Sequence, residues 1–270
     1  MKKITLCLLG CLTAAVCLYV AETDFSAAHS HTAPASPAAA VGEVAPSLTA
    51  LPATASPEPP AVAASPMKLV AAQAGLHDIP ALSQLPELPN GCEAVAATML
   101  MNWAGLPISK DEVAEALPKG DLPYTNEDGA MVGGNPRDVF VGDPFDVGYG
   151  IYHAPVAKLM EQWLPGRVKN LTGASLEALL AQLAQGRPVM VWATEHMDTP
   201  YLDLTWEDPD GELVDWYQPE HALLLVGVDD GTAYLNDPMT GQQEAYDLDA
   251  FHQAWEAMGS QAITITPAQP

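Results

Sequence analysis

Four residues in this chain are of types that suit acyl transfer: Gln84, Cys92, His221 and Asp237. Cys92 is the most distinctive. Of four cysteines in 270 residues, the other three (Cys7, Cys11 and Cys17) lie within the first seventeen positions. In "PNGCEAVAATMLMNW", Asn90-Gly91 is a turn-forming pair and Cys92 opens a run with apolar residues at helical spacing. A helix N-terminus offers free backbone N–H groups and the positive end of a dipole, which lower a thiol's pKa and favour the nucleophilic thiolate. The competing account is a small buried apolar residue, the commoner fate of a free cysteine.

A thiolate nucleophile needs a base and a group to orient it. Two of the seven histidines fall in an Ala/Pro-rich stretch; His77, His153, His196, His221 and His252 remain. His221 begins "HALLLVGVDD", the most apolar strand-like run, and "TAYLNDP" follows after "DDG", a hairpin signal. Antiparallel pairing sets the start of the first strand beside the end of the second, so His221 and Asp237 become neighbours. Asn236 is the alternative orienter, since successive strand residues face opposite sides and only one of the two can meet His221. Otherwise His221 is a satisfied core histidine and Asp237 caps a turn. Gln84, eight residues before Cys92, has a side-chain amide suited to a developing oxyanion, with the Cys92 N–H as second donor. Gly91, Trp216 and Arg137 are candidates for contacting substrate: Gly91 beside the thiol, Trp216 among the aromatics before His221, and Arg137 as the lone positive charge of a glycine-rich stretch.

The elements that must position these residues are legible in outline. Residues 92–103 read as a largely buried helix ended by Gly105 and Pro107. "ISKDEVAEAL" carries a capping box, Ser109 with Glu112. "APVAKLMEQWL", "SLEALLAQLAQG" and "DLDAFHQAWEAMG" are further helices; "PVMVWAT", "HALLLVGVD", "TAYLND" and "AITIT" are short β-prone runs. "YLDLTW" and "ELVDWY" flank the turn "DPDG". Helices followed by an antiparallel strand block predict an α+β domain, its N-terminal helical part packed on an antiparallel sheet. Residues 129–150 hold six glycines and read either as an ordered loop lining the cleft or as a structural arm.

Composition narrows the partners. The formal net charge is -24, and 30 of the 34 acidic residues fall between 76 and 268. Phosphate backbones require clustered positive charge, so nucleic acid is not an expected partner. Residues 1–28 begin with Lys2-Lys3 and run apolar from 4 to 21, a signal peptide or membrane anchor. Residues 29–75 form an Ala/Pro/Ser/Thr-rich linker that cannot bury a core. The expectation is an extracellular or cell-surface protein, with membrane anchoring through the N-terminal apolar segment only. Once that segment is removed one thiol remains, and no internal disulfide can form. One cysteine and scattered histidines give no closed zinc spacing, and Asp203, Asp208 and Asp210 lack a full calcium loop, so no metal or other cofactor is expected.

"HDIPALSQLPELPNGCEAVAATMLMNWAG" resembles the opening of papain-like cysteine peptidases of the bacteriocin-processing (double-glycine leader) peptidase-like family. "GGNPRDVFVGDPFDVGYGIYHAPVAKLM" is similar to the middle of a secreted bacterial branch of that family, and the segment from Glu220 to 263 to its His and Asp-Pro end. The change of composition near residue 76 bounds one domain over 76–268, and the resemblance, which covers nearly all of 77 to 265, implies that it is a papain-like cysteine peptidase domain. It also implies roles: Cys92 as nucleophile, His221 as base, Asp237 as orienter and Gln84 at the oxyanion hole. The substrate it implies is a peptide or protein. The leader-cleaving members carry transporter segments, which this sequence lacks, so leader cleavage is not implied. Alternatives on the same fold are a surface adhesion or scaffolding module, or a transpeptidase or cell-wall amidase.

Overall fold

The computed structural model describes residues 78–268. The expected signal or anchor of 1–28 and the linker of 29–75 lie outside the described residues, as do the first two positions of the 76–268 domain. Among the described residues no helix is long and apolar enough to cross a membrane.

The chain opens with two helices, α1 (Cys92–Trp103) and α2 (Lys110–Ala116). Short strands β1 (Lys119–Gly120), β2 (Tyr124–Thr125), β3 (Met131–Val132), β4 (Phe140–Gly142) and β5 (Gly148–Gly150) follow, then α3 (His153–Trp163), β6 (Val168–Asn170) and α4 (Leu176–Ala184). The C-terminal part comprises β7 (Val189–Thr194), β8 (Tyr201–Glu207), β9 (Leu213–Gln218), β10 (Glu220–Asp229), β11 (Thr232–Asp237), β12 (Gln242–Asp247), α5 (Leu248–Ala257) and β13 (Ala262–Ile265). The α+β class is as the sequence predicts.

The central sheet has six strands in the order β12-β11-β10-β7-β13-β6, each neighbouring pair antiparallel. Its middle strands β7 and β10 are apolar on both sides because both faces are covered there. Ala222, Leu224 and Val226 of β10 join Met190 and Trp192 of β7 under α1. Leu223 and Leu225 join Val189, Val191 and Ala193 on the opposite face, against Leu179 and Leu183 of α4 and Phe251 and Trp255 of α5. Period-two alternation thus sorts one apolar run into two cores. The buried α1 is fixed at its start by Gly91, where a Cβ would lie 2.6 Å from the Leu88 Cβ. The β10–β11 turn falls on Asp230-Gly231, both at positive φ as a tight two-residue hairpin needs. Ser109 and Glu112 form the reciprocal capping box of α2.

Residues 129–150 are a structured arm rather than a bare loop. They contain β3, β4 and β5, and Phe140 and Val141 are buried. The backbone of the next residue is held at both polar atoms: Ile151 N–H donates to Glu93 Oε1 at 2.7 Å, and its carbonyl accepts from Trp192 Nε1 at 2.9 Å. The arm is thereby tied to α1 and to the central sheet beside Cys92.

Candidate functional site

Cys92 is the first residue of α1, so its backbone N–H is one of the helix donors without an intrahelical partner. The thiol has two hydrogen-bond partners. It donates to Glu93 Oε2 at 3.3 Å and accepts from the Ala222 backbone N–H at 3.4 Å. Ala222 follows His221, so β10 delivers the histidine to the thiol's neighbourhood, but the imidazole is not itself a hydrogen-bond partner of the sulfur.

His221 and Asp237 meet as the hairpin requires. Their Nε2···Oδ1 distance is 2.7 Å, and both side chains are almost wholly buried. Burial alone would raise the Asp237 carboxyl. The hydrogen bond and charge of His221, with the Met239 N–H, outweigh it and hold the carboxyl below its ordinary value. With Nε2 engaged, Nδ1 of His221 is the nitrogen left for chemistry. Asn236 faces away: its amide donates to Ile79 O at 2.8 Å and its Oδ1 accepts from Gln243. Of the two alternatives, the residue beside His221 is Asp237.

Gln84 is buried. Its backbone N–H donates to Pro238 O at 2.8 Å, joining its loop to the turn after Asp237. The side-chain amide donates one proton to Pro89 O at 2.9 Å, leaving a second N–H, and Oε1 has no partner. Gln84 and Asp237 are therefore set by one shared turn.

The structure sets the three candidates for contacting substrate in different surroundings. Trp216 is fully buried: it stacks on Tyr152 at 5.8 Å and meets Tyr149 edge-on at 5.7 Å. Alternation along β9 sends Val214 and Trp216 inward and Leu213, Asp215 and Tyr217 outward, so this tryptophan is core rather than groove. Arg137 is exposed and lines a cleft of about 430 Å3 with Tyr152, Leu213, Tyr217 and Gln261; Cys92 and His221 are not in its walls. Gly91 is buried against Leu88, its own N–H given to Leu88 O, so it serves the local turn.

The helix-start argument for a lowered thiol pKa is also overturned. Burial, then the charges of Glu93 and Glu220, push Cys92 well above its usual range, against only the Ala222 N–H in the other direction. Glu93 is fully buried and Glu220 nearly so. Glycine at 150 lets them converge: a Cβ there would lie 2.5 Å from Glu93 Oε1, 3.1 Å from the Trp216 ring and 3.2 Å from Glu220 Oε2. Burial raises Glu93 to about 7; burial and the Glu93 charge raise Glu220 well above its ordinary value. The sequence reading missed both residues. The available signal was a charge at the second position of a helix otherwise read as buried, which demands a partner.

Donor atoms of Cys92, Glu93 and Glu220 lie within 4.8 Å of one another. The oxygens of Glu93 are already engaged by Ile151 N–H and the thiol, so the cluster reads as a proton-sharing group. Asp208, considered above for calcium, spends its oxygens on Asn135 Nδ2 and on the N–H groups of Asp210 and Glu212.

Residues 76–263 match the Peptidase_C39 like family. The chain is 37% identical over 182 residues to the uncharacterized protein YvpB of Bacillus subtilis (strain 168), covering 67% of this chain and 70% of that protein. Its fold is similar to a crystal structure from Bacillus anthracis described as that of a C39-like peptidase. That likeness has a TM-score of 0.64 and 33% identity, and covers 72% of this chain and 96% of the other.

Proposed function

Because the chain belongs to the Peptidase_C39 like family, we propose that it is an exported cysteine peptidase, of the secreted branch that its sequence resembles, hydrolysing amide bonds of peptides or proteins. The observation that carries this reading is the buried His221–Asp237 pair, at 2.7 Å, with His221 on the strand whose next N–H contacts the Cys92 sulfur.

In the proposed reaction the Cys92 sulfur attacks the scissile carbonyl. His221 takes the thiol proton at Nδ1 and returns it to the leaving amine, while Asp237 fixes the ring through Nε2. Water then attacks the thioester and regenerates the thiol. The Cys92 N–H and the free amide proton of Gln84 are the donors for the oxyanion. Export, and anchoring if the apolar segment is retained, follow from residues 1–28.

The test is cleavage of a peptide library by the full chain and by Cys92→Ala. The expected result is cleavage by the wild type and a loss of at least about 10³-fold in the variant. A second reading, a binding module on the same fold, draws on the thiol's contact with Glu93 rather than with the imidazole. Retention of library peptides without Cys92-dependent cleavage would establish that reading instead. Adding an amine acceptor separates hydrolysis from transpeptidation by the products formed.

A further inference from the structure

The hydrogen bonds of the Cys92 sulfur pose a problem for an ordinary cysteine–histidine couple. Its side-chain partner is a carboxyl, and a second carboxyl stands behind the first. Among the described residues neither Glu93 nor Glu220 has a Lys or Arg partner, and Glu220 Oε1 is buried without any hydrogen bond. Two buried carboxylates at this separation cannot both be charged without large cost, so the pair retains a proton.

We propose that Glu93, backed by Glu220, holds Cys92 as an uncharged thiol in the resting protein, so that this pair sets the pH at which the sulfur becomes a nucleophile. Glu93 touches the sulfur directly; Glu220 acts through Glu93 and is a positioning residue. The assignment rests on Cys92 being the reacting group of the peptidase reading above.

The chemistry follows from which atom holds the proton. With Glu93 ionised, the S–H proton lies toward Oε2 and ionising the thiol would place a second charge against the carboxylate. With Glu93 protonated, its O–H can turn to the sulfur and donate to a thiolate, and that negative charge is gone. Loss of the S–H proton, to Nδ1 of His221 or to solvent, is therefore easier while Glu93 itself is protonated than while the pair's proton sits on Glu220. Other ionisable groups face the cluster. His221 on β10 lowers Glu93, Glu195 after β7 raises Glu220, and Tyr152 after β5 faces both carboxyls with Arg137 and Tyr217 near it. Of these Arg137 is the cation, and His221 is already engaged by Asp237.

The experiment follows iodoacetamide alkylation of Cys92 against pH, in the full chain with EDTA present so that no metal contributes. Glu93→Gln keeps the acceptor for Ile151 N–H and removes the charge. The expected result is a midpoint at least about one pH unit lower than wild type, and alkylation about tenfold faster at pH 8. Glu220→Gln should move the midpoint the same way by less. An unmoved or raised midpoint in both variants would overturn the assignment. If Glu93→Gln does not fold, Glu220→Gln decides alone. Alkylation needs no substrate, so a protein showing the shift but cleaving nothing keeps this role for the pair and loses the peptidase reading.

Discussion

Consecutive residues of β10 sit in opposite electrostatic settings. His221 has Asp237 for its partner. Glu220 lies toward α1, and its partner is Glu93. All four side chains are buried, so burial does not account for the difference. The sign of the partner does. An opposite charge and an N–H donor hold Asp237 down; a like charge adds to burial and drives Glu220 up. The imidazole–carboxylate pair stores a charge, and the glutamate pair stores a proton. Catalysis through Cys92 would draw on both, because the sulfur lies against Glu93 on one side and the Ala222 N–H beside His221 on the other.

The largest effect comes from breaking the complementary pair. Asp237→Asn keeps the shape but removes the charge that holds His221, and cleavage should fall by about 10²-fold or more. Asp237→Ala leaves a buried imidazole without a partner and should destabilise the fold by about 3 kcal/mol in denaturant titration at pH 7. The pH dependence has a definite sign. Because the folded carboxyl sits below its unfolded value, its contribution is present above the unfolded pKa and is lost as pH falls through the folded one. The gap between wild type and Asp237→Ala should therefore close in acid. An equally large gap throughout the acid limb would mean that the pair holds no charge.

The like-charge pair gives the reverse dependence and a smaller effect. Glu93 is raised to about 7, so the folded state favours its protonated form, and stability falls as pH rises from the ordinary carboxyl range toward 7. Glu93→Gln should match wild type near pH 4 and exceed it at pH 8 by up to about 2 kcal/mol, roughly 5 °C in Tm for a domain of this size. Thermal unfolding at the two pH values checks it. Equal gains at both would show that the amide merely packs better.

The same contrast explains what could be read from the sequence. The His221–Asp237 contact was legible because it depends on local rules: a two-residue turn, strict alternation, and two strands adjacent in sequence. The capping box of α2 and the helix at Cys92 are local in the same sense. The Glu93–Glu220 pair was not legible, because it forms where α1 crosses β10 and where the arm ending at Gly150 leaves space for it. Strands β6 and β12 were missed for a related reason: "VKN" and "QQEAYD" lack an apolar pattern, and their partners in the sheet make them strands. Composition located the domain and the isolated cysteine at a helix start marked the candidate nucleophile, but no motif announced that the thiol would rest against a carboxyl.

The smallest expected effect separates core from cleft at Trp216. The aromatic cluster before His221 invited a groove reading, and the structure buries the indole against Tyr149, Tyr152 and the glycine that accommodates the glutamate pair. Its Nε1–H is buried without a partner. Trp216→Phe deletes that unsatisfied donor, which favours the variant, and opens a small void, which does not. The two nearly offset, so stability should drop by only about 1 kcal/mol, and KM for any cleaved peptide should stay within about twofold of wild type. Denaturant titration and steady-state kinetics on one preparation read both quantities. A several-fold rise in KM with stability unchanged would return Trp216 to the substrate groove.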